Sequence, residues 1–225
     1  CRKNRGAGMI KEFDEFPVFY FSNHNSILGH LDEIECMPEH LNKLDYELEI
    51  AIVICKEGKN IKAEKAREFI GGFTIYNDIS ARDIQSSEMK LNLGPAKGKD
   101  FANIFGPFVV TRDEIYENEI YNGKIDLEMK CKINNKLYSI GNLKTMHWSF
   151  EEIIERVSYG TKIFPGDVIG SGTVGKGCLL EINGTEKRKN IEYKETWLKE
   201  NDIIEMSIEK IGTLTNKIVL HKWKE

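Results

Sequence analysis

No stretch of this 225-residue chain approaches the roughly 20 apolar residues of a membrane-spanning helix, so a membrane is not an expected partner. A basic excess is missing too. The 32 Lys and Arg stand against 36 Asp and Glu, and a formal charge of −4 speaks against nucleic acid as a ligand. Zinc–thiolate chemistry lacks its pattern, because Cys1, Cys36, Cys55, Cys131 and Cys178 form no Cys-x-x-Cys pair and no Cys/His zinc spacing. Their odd number and scatter exclude a complete disulfide framework and point to a reducing, cytoplasmic setting. Cys55 and Cys131 lie in apolar stretches and are expected to be buried. No repeat, low-complexity tract or linker divides the sequence, so residues 1–225 are expected to form one domain. Neither a starting Met nor a signal peptide opens it, which leads to the expectation of a further N-terminal segment before residue 1. Asn183-Gly184-Thr185 fits a glycosylation acceptor, but nothing else suggests secretion.

What is present is a β-rich pattern. Hydrophobic residues make up 40% of the chain, enough to bury a core. Glu47 to Cys55, Phe73 to Tyr76, Phe105 to Thr111, Ile203 to Glu209 and Thr213 to Leu220 read as strands from their β-branched and aromatic residues. Lys124 to Ile133 alternates apolar and polar residues before an Asn134-Asn135 turn. Val168 to Ser171 reads as a strand after the Pro165-Gly166-Asp167 turn. Val18 to Ser22 reads as a short buried strand, Cys178 to Ile182 as another, and Asn23 to Lys43 as irregular. Ile61 to Ile70 has helical spacing with Gly71-Gly72 as its expected end. Ile79 to Glu88 reads as one or two helical turns. Ser149 and Glu152 form a capping box that opens a helix over Phe150 to Tyr159.

Four segments carry chemistry. In Glu47-Leu48-Glu49 the two carboxylates project from the same face of a strand, because side chains alternate with period 2. Two like charges ~4 Å apart at an effective dielectric of 20 repel by about 4 kcal/mol. A wet strand edge relieves that repulsion, and so does a divalent cation. Asp78 follows a strand directly, where it either meets such a carboxylate pair or caps the next helical turn. Lys99 is presented by the glycine-bearing loop Gly94-Pro95-Ala96-Lys97-Gly98, a place equally suited to a solvated lysine. Gly170 to Gly177 nearly matches a phosphate-binding loop. Gly177 replaces the required hydroxyl residue, and the strand read at 178–182 leaves no helix to face a phosphate. The five histidines share no metal spacing, and His24 and His30 are expected at the surface.

The pieces DYELE (45–49), YNDISARDIQ (76–85), GPAKGKDF (94–101), PGDVIGSGTVG (165–175) and GCLLE (177–181) run in an order similar to the fumarylacetoacetate hydrolase family. The tail WLKENDIIEM (197–206) resembles that family's closing segment. The resemblance implies a mainly β (α+β) fold, with a mixed sheet rolled into a half-open barrel, few short helices, and a homodimer. It implies Mg2+, Ca2+ or Mn2+ held by Glu47, Glu49 and Asp78, with Lys99 and Glu181 as catalytic residues. Arg5, Gln85 and Thr173 match substrate-binding positions, and Glu181 matches the glutamate that orients a catalytic histidine. That histidine and one further metal carboxylate are expected upstream of residue 1. Asn103 stands where many members carry threonine, and the loop Ser86 to Leu93 is a residue longer than in the eukaryotic hydrolases.

The implied activity is metal-dependent hydrolysis of a C–C bond in a β-diketone or acylpyruvate-type 2-oxo acid, with a small-molecule diketo or 2-oxo acid as partner. One alternative is a lyase, hydratase, isomerase or decarboxylase acting on a 2-oxo acid. The other is a non-catalytic calcium-binding β-domain.

Overall fold

The computed structural model describes residues 10–223. Ten strands organise it. In chain order they are β1 (Ile27–Leu28), β2 (Glu33–Cys36), β3 (Leu48–Ile54), β4 (Ile70–Asp78), β5 (Asn103–Thr111), β6 (Glu128–Ile133), β7 (Lys136–Asn142), β8 (Val168–Gly170), β9 (Ile203–Ile208) and β10 (Gly212–Leu220). The first sheet has the order β1-β5-β4-β3-β8, with β1 parallel to β5 and every other pair antiparallel. The second has the order β7-β6-β9-β10-β2, again mixed through the parallel β10–β2 pair. The first sheet curls into a half-open barrel, and the helices are few and short. Three of them reach eight residues: α1 (Arg82–Met89), α2 (Phe150–Val157) and α3 (Leu179–Lys189).

Alternation builds the core. Leu48, Ile50, Ile52 and Ile54 point inward from β3, while Met129, Cys131 and Ile133 do the same from β6. Residues of both sheets join one apolar cluster. Burial of this kind stabilises by about 25 cal/mol per Å² removed from water. Asn134 and Asn135 both adopt the left-handed backbone that tightens the β6–β7 turn. The Ser149–Glu152 capping box forms and starts α2 as expected.

Several expectations need correction. Val18 to Ser22 is not a buried strand: it joins no sheet, and Phe21 is 87% exposed. A short, mostly apolar run does not by itself distinguish a core strand from a segment outside the sheets. Asn23 to Lys43 is more ordered than its composition suggests, since β2 buries Ile34 and Cys36. The expected helix at 61–70 shrinks to Ala63–Ala66 plus a 3-10 turn, because β4 takes Ile70 onward. A Cβ at Gly72 would stand 2.5 Å from the Val110 carbonyl oxygen, so this glycine permits close strand contact rather than ending a helix. Cys55 is exposed, not buried. Asn183 is buried in α3, and its amide is bonded to both backbone groups of Thr196, which leaves no acceptor for a glycan.

Cys178 to Ile182 is not a strand: Cys178 precedes α3 as its N-cap, and Leu179 to Ile182 form the first turn of the helix. The cap that starts this helix comes from far away in sequence. Asp45 accepts hydrogen bonds from the Leu179 and Leu180 amides at 2.7 and 3.0 Å. A carboxylate from the chain itself therefore fills the helix N-terminus that a phosphate would need.

Candidate metal centre

The register of the first sheet assembles the site. Glu49 lies opposite Tyr76, Tyr76 opposite Phe105, and Asp78 opposite Asn103, so all five share one face of β3, β4 and β5. Glu47 joins them two residues before Glu49, with Arg82 and Lys99 on its carboxylate. Ligand atoms of Glu47, Glu49 and Asp78 lie within 4.8 Å of one another. Glu49 is 3% exposed, which removes the wet-edge explanation for the carboxylate pair.

Two cations compensate part of this charge. Lys99 is 2% exposed, and its Nζ lies 2.8 Å from both a Glu47 and an Asp78 oxygen. Arg82 contacts Glu47 at 2.8 Å and Asp45 at 2.6 Å. The four carboxylates Asp45, Glu47, Glu49 and Asp78 thus face two cations, leaving a formal excess of two negative charges. Burial resists ionisation of Glu47, but the charges of Lys99 and Arg82 outweigh it and hold its carboxyl below the usual range. Glu49 goes the other way. Burial, then the charges of Glu47 and Asp78, push its carboxyl well above its ordinary value.

These residues fit a hard divalent ion. Asp78 Oδ1 is buried and has no hydrogen-bond partner, an orphan acceptor that a cation would satisfy. The other Asp78 oxygen is taken by Lys99 and by the Tyr20 hydroxyl. One divalent charge would neutralise the formal excess and let Glu49 ionise.

The surrounding chain is shaped for this cluster. The Gly172 amide donates to Glu49 Oε2 at 2.9 Å, with Gly172 in the left-handed region at φ 75°. A Cβ at Gly170 would stand 2.7 Å from the Tyr76 ring and 2.8 Å from the Glu49 carboxylate, so only glycine leaves room for both. The glycine-rich segment after β8 therefore gives a backbone amide to Glu49. Asn103 accepts from the Tyr76 and Ser22 hydroxyls at 2.7 and 2.8 Å.

The other expected site residues are placed less directly. Gln85 is half-buried on α1, and its side-chain oxygen accepts from Arg82 at 3.0 Å. Thr173 is half-buried beside Gly172. Glu181 is fully buried in α3, whose cap Asp45 also pairs with Arg82. Arg5 lies outside the described residues. Four histidines have partners elsewhere: His30 at Thr215, His40 against Phe101, His147 by Trp148 and His221 at Glu35. Tyr20, whose hydroxyl lies inside an apolar run and reaches Asp78, carries no site signal in the sequence, and neither do the roles of Asp45 and Arg82. No helix of the described residues is long and apolar enough to cross a membrane.

Comparison with known proteins gives the chain's family. Over residues 3–219 the chain matches the family described as fumarylacetoacetate (FAA) hydrolase C-terminal. It is 32% identical to the oxaloacetate tautomerase YisK of Bacillus subtilis, across 94% of this chain and 64% of that protein. Among solved structures, a fumarylacetoacetate hydrolase from Exiguobacterium antarcticum superposes with a TM-score of 0.72 at 32% identity, covering 87% of this chain and 64% of that one. A 2-hydroxyhepta-2,4-diene-1,7-dioate isomerase from Mycobacterium marinum gives 0.72 at 28%, covering 92% and 70%. The chain thus spans just under two thirds of the Bacillus relative's length. A sequence that matches the family domain almost throughout, and folds as its solved relatives do, belongs to the fumarylacetoacetate hydrolase family.

Proposed function

We propose that the protein is a divalent-metal-dependent enzyme that moves protons on a 2-oxo acid, as a tautomerase or isomerase. The observation that carries this reading is the buried Glu47–Glu49–Asp78 cluster with Lys99 seated on it. Mg2+ or Mn2+ held by the three carboxylates would supply Lewis-acid stabilisation for negative charge developing on the substrate oxygens. Lys99 keeps its proton, because the charges of Glu47 and Asp78 outweigh the burial that opposes it. It is therefore a fixed cation that can turn one of its N–H groups toward a developing oxyanion. Gln85 and Thr173 are assigned to substrate contact, with Arg5 as a further binding residue.

Tautomerisation removes one proton from carbon and places one on oxygen, or the reverse. It needs no attacking water and no co-reactant. That suits the relatives named as an oxaloacetate tautomerase and a hydroxyheptadienedioate isomerase. Hydrolysis remains the second reading, favoured by the relative named as a fumarylacetoacetate hydrolase and by buried Glu181, which would orient a histidine for water activation. A purely structural calcium site would not need a lysine on two of its ligands.

The test follows the loss of the enol form of oxaloacetate and of acylpyruvates, with Mn2+ and with EDTA. EDTA-sensitive ketonisation without cleavage products is the expected result. Release of pyruvate and a carboxylic acid from an acylpyruvate would move the assignment to hydrolysis. Metal-independent turnover, or none, would overturn it.

A further inference from the structure

Helix α1 does more than carry Gln85. Its residues at intervals of three, Arg82, Gln85 and Glu88, lie along one side of the helix. Arg82 holds Glu47, and Gln85 accepts from Arg82. Glu88 faces the loop before Lys99. Its two carboxylate oxygens accept from three successive backbone amides, Ala96 at 2.9 Å, Lys97 at 2.7 Å and Gly98 at 3.2 Å. Three consecutive N–H groups converging on one anion make a nest, here filled by the protein's own side chain.

This grip leads straight to the site. The Lys99 amide donates to the Ala96 carbonyl at 2.9 Å, and the Gly98 carbonyl accepts from Ala81 at 2.8 Å. Gly98 lies so close to α1 that a Cβ there would stand 2.6 Å from the Gln85 nitrogen. The start of the loop is open: Leu91 and Leu93 are exposed, and a Cβ at Gly94 would meet nothing within 4 Å.

We propose that Glu88 is the positioning residue for Lys99: by closing its carboxylate on the Ala96–Gly98 amides it holds the lysine against Glu47 and Asp78. The idea rests on the enzymatic reading above for its kinetic consequence, but not for its structural one. The hydrogen-bond partners of Glu88 are the three loop amides and not the Glu47, Glu49 or Asp78 carboxylates, so its effect on turnover is expected to pass through the loop that presents Lys99.

The experiment compares Glu88→Ala and Glu88→Gln in the wild-type chain and in a Lys99→Met background. Glu88→Ala is expected to lower kcat by about tenfold or more, since small misplacements of a catalytic group are costly, while KM changes less than twofold. Glu88→Gln keeps one acceptor oxygen and should fall between. In the Lys99→Met background Glu88→Ala should change kcat less than twofold, because the interaction it serves is already gone. Hydrogen exchange at the 96–98 amides should quicken at least tenfold in Glu88→Ala, with α2 unaffected.

Calorimetry with Mn2+ alone supplies a readout without catalysis. Freeing Lys99 from the carboxylates should raise Mn2+ affinity at least threefold, toward the Lys99→Met value. Unchanged Mn2+ affinity, or an equal kcat loss in both backgrounds, would overturn the proposal. Absence of turnover in the wild type would sink the tautomerase reading, and the exchange and Mn2+ results would still decide the role of Glu88.

Discussion

Lys99→Met is expected to abolish most of the activity and, at the same time, to tighten metal binding. The Lys99 ammonium contacts Glu47 and Asp78 at 2.8 Å each, inside a site where it is almost fully buried. Removing one preorganised donor of this kind lowers kcat by about 10²–10³-fold in comparable sites. Methionine keeps the length and apolar stem of the side chain, so the loss is one of charge and not of packing. Without metal, the variant leaves two buried carboxylates short of a partner, a change that costs roughly 3–5 kcal/mol when a buried pair is broken. Added Mn2+ should restore that stability, because an ion that binds only the folded state stabilises it by mass action. Thermal melts with and without Mn2+, beside steady-state kinetics, check all three effects. A variant that is equally stable in both conditions and keeps wild-type turnover would remove Lys99 from the site.

Glu49→Gln should act in the opposite sense on the two states. With metal, it deletes one ligand charge, and the affinity should fall at least about tenfold, or ~1.4 kcal/mol. Without metal, stability should stay level or rise. Burial and the charges of Glu47 and Asp78 already disfavour the Glu49 carboxylate, and a neutral amide escapes both. The Gly172 amide still finds an oxygen to bond. Calorimetric titration with Mg2+ or Mn2+ measures the first effect, and denaturant unfolding of the metal-free protein the second. A solvated glutamate would change stability by no more than about 0.5 kcal/mol with no metal dependence.

The carboxylate pair was legible because its information is local. Period-2 alternation places Glu47 and Glu49 on one face whatever the strand pairs with. Asp78 at a strand end and Lys99 in a glycine-bearing loop could be named as candidates, but their convergence depends on the β3–β4 register and on how the loop folds back. The residues that make the site work as a unit were less visible. Asp45 caps α3 across 134 positions and pairs with Arg82, so neither the helix nor the network shows in a local window. Tyr20 sat inside a run of apolar neighbours that reads as core. Glu88 grips a loop through backbone amides, which leave no mark on the sequence at all.

The central claim, that Glu47, Glu49 and Asp78 hold one divalent ion beside Lys99, is tested most directly by anomalous diffraction from crystals grown with Mn2+. One strong peak is expected within bonding distance of all three carboxylates, on the order of 2.0–2.6 Å for hard oxygen ligands, with Lys99 still nearby. No peak there at saturating Mn2+, or a peak held by other residues, would contradict it.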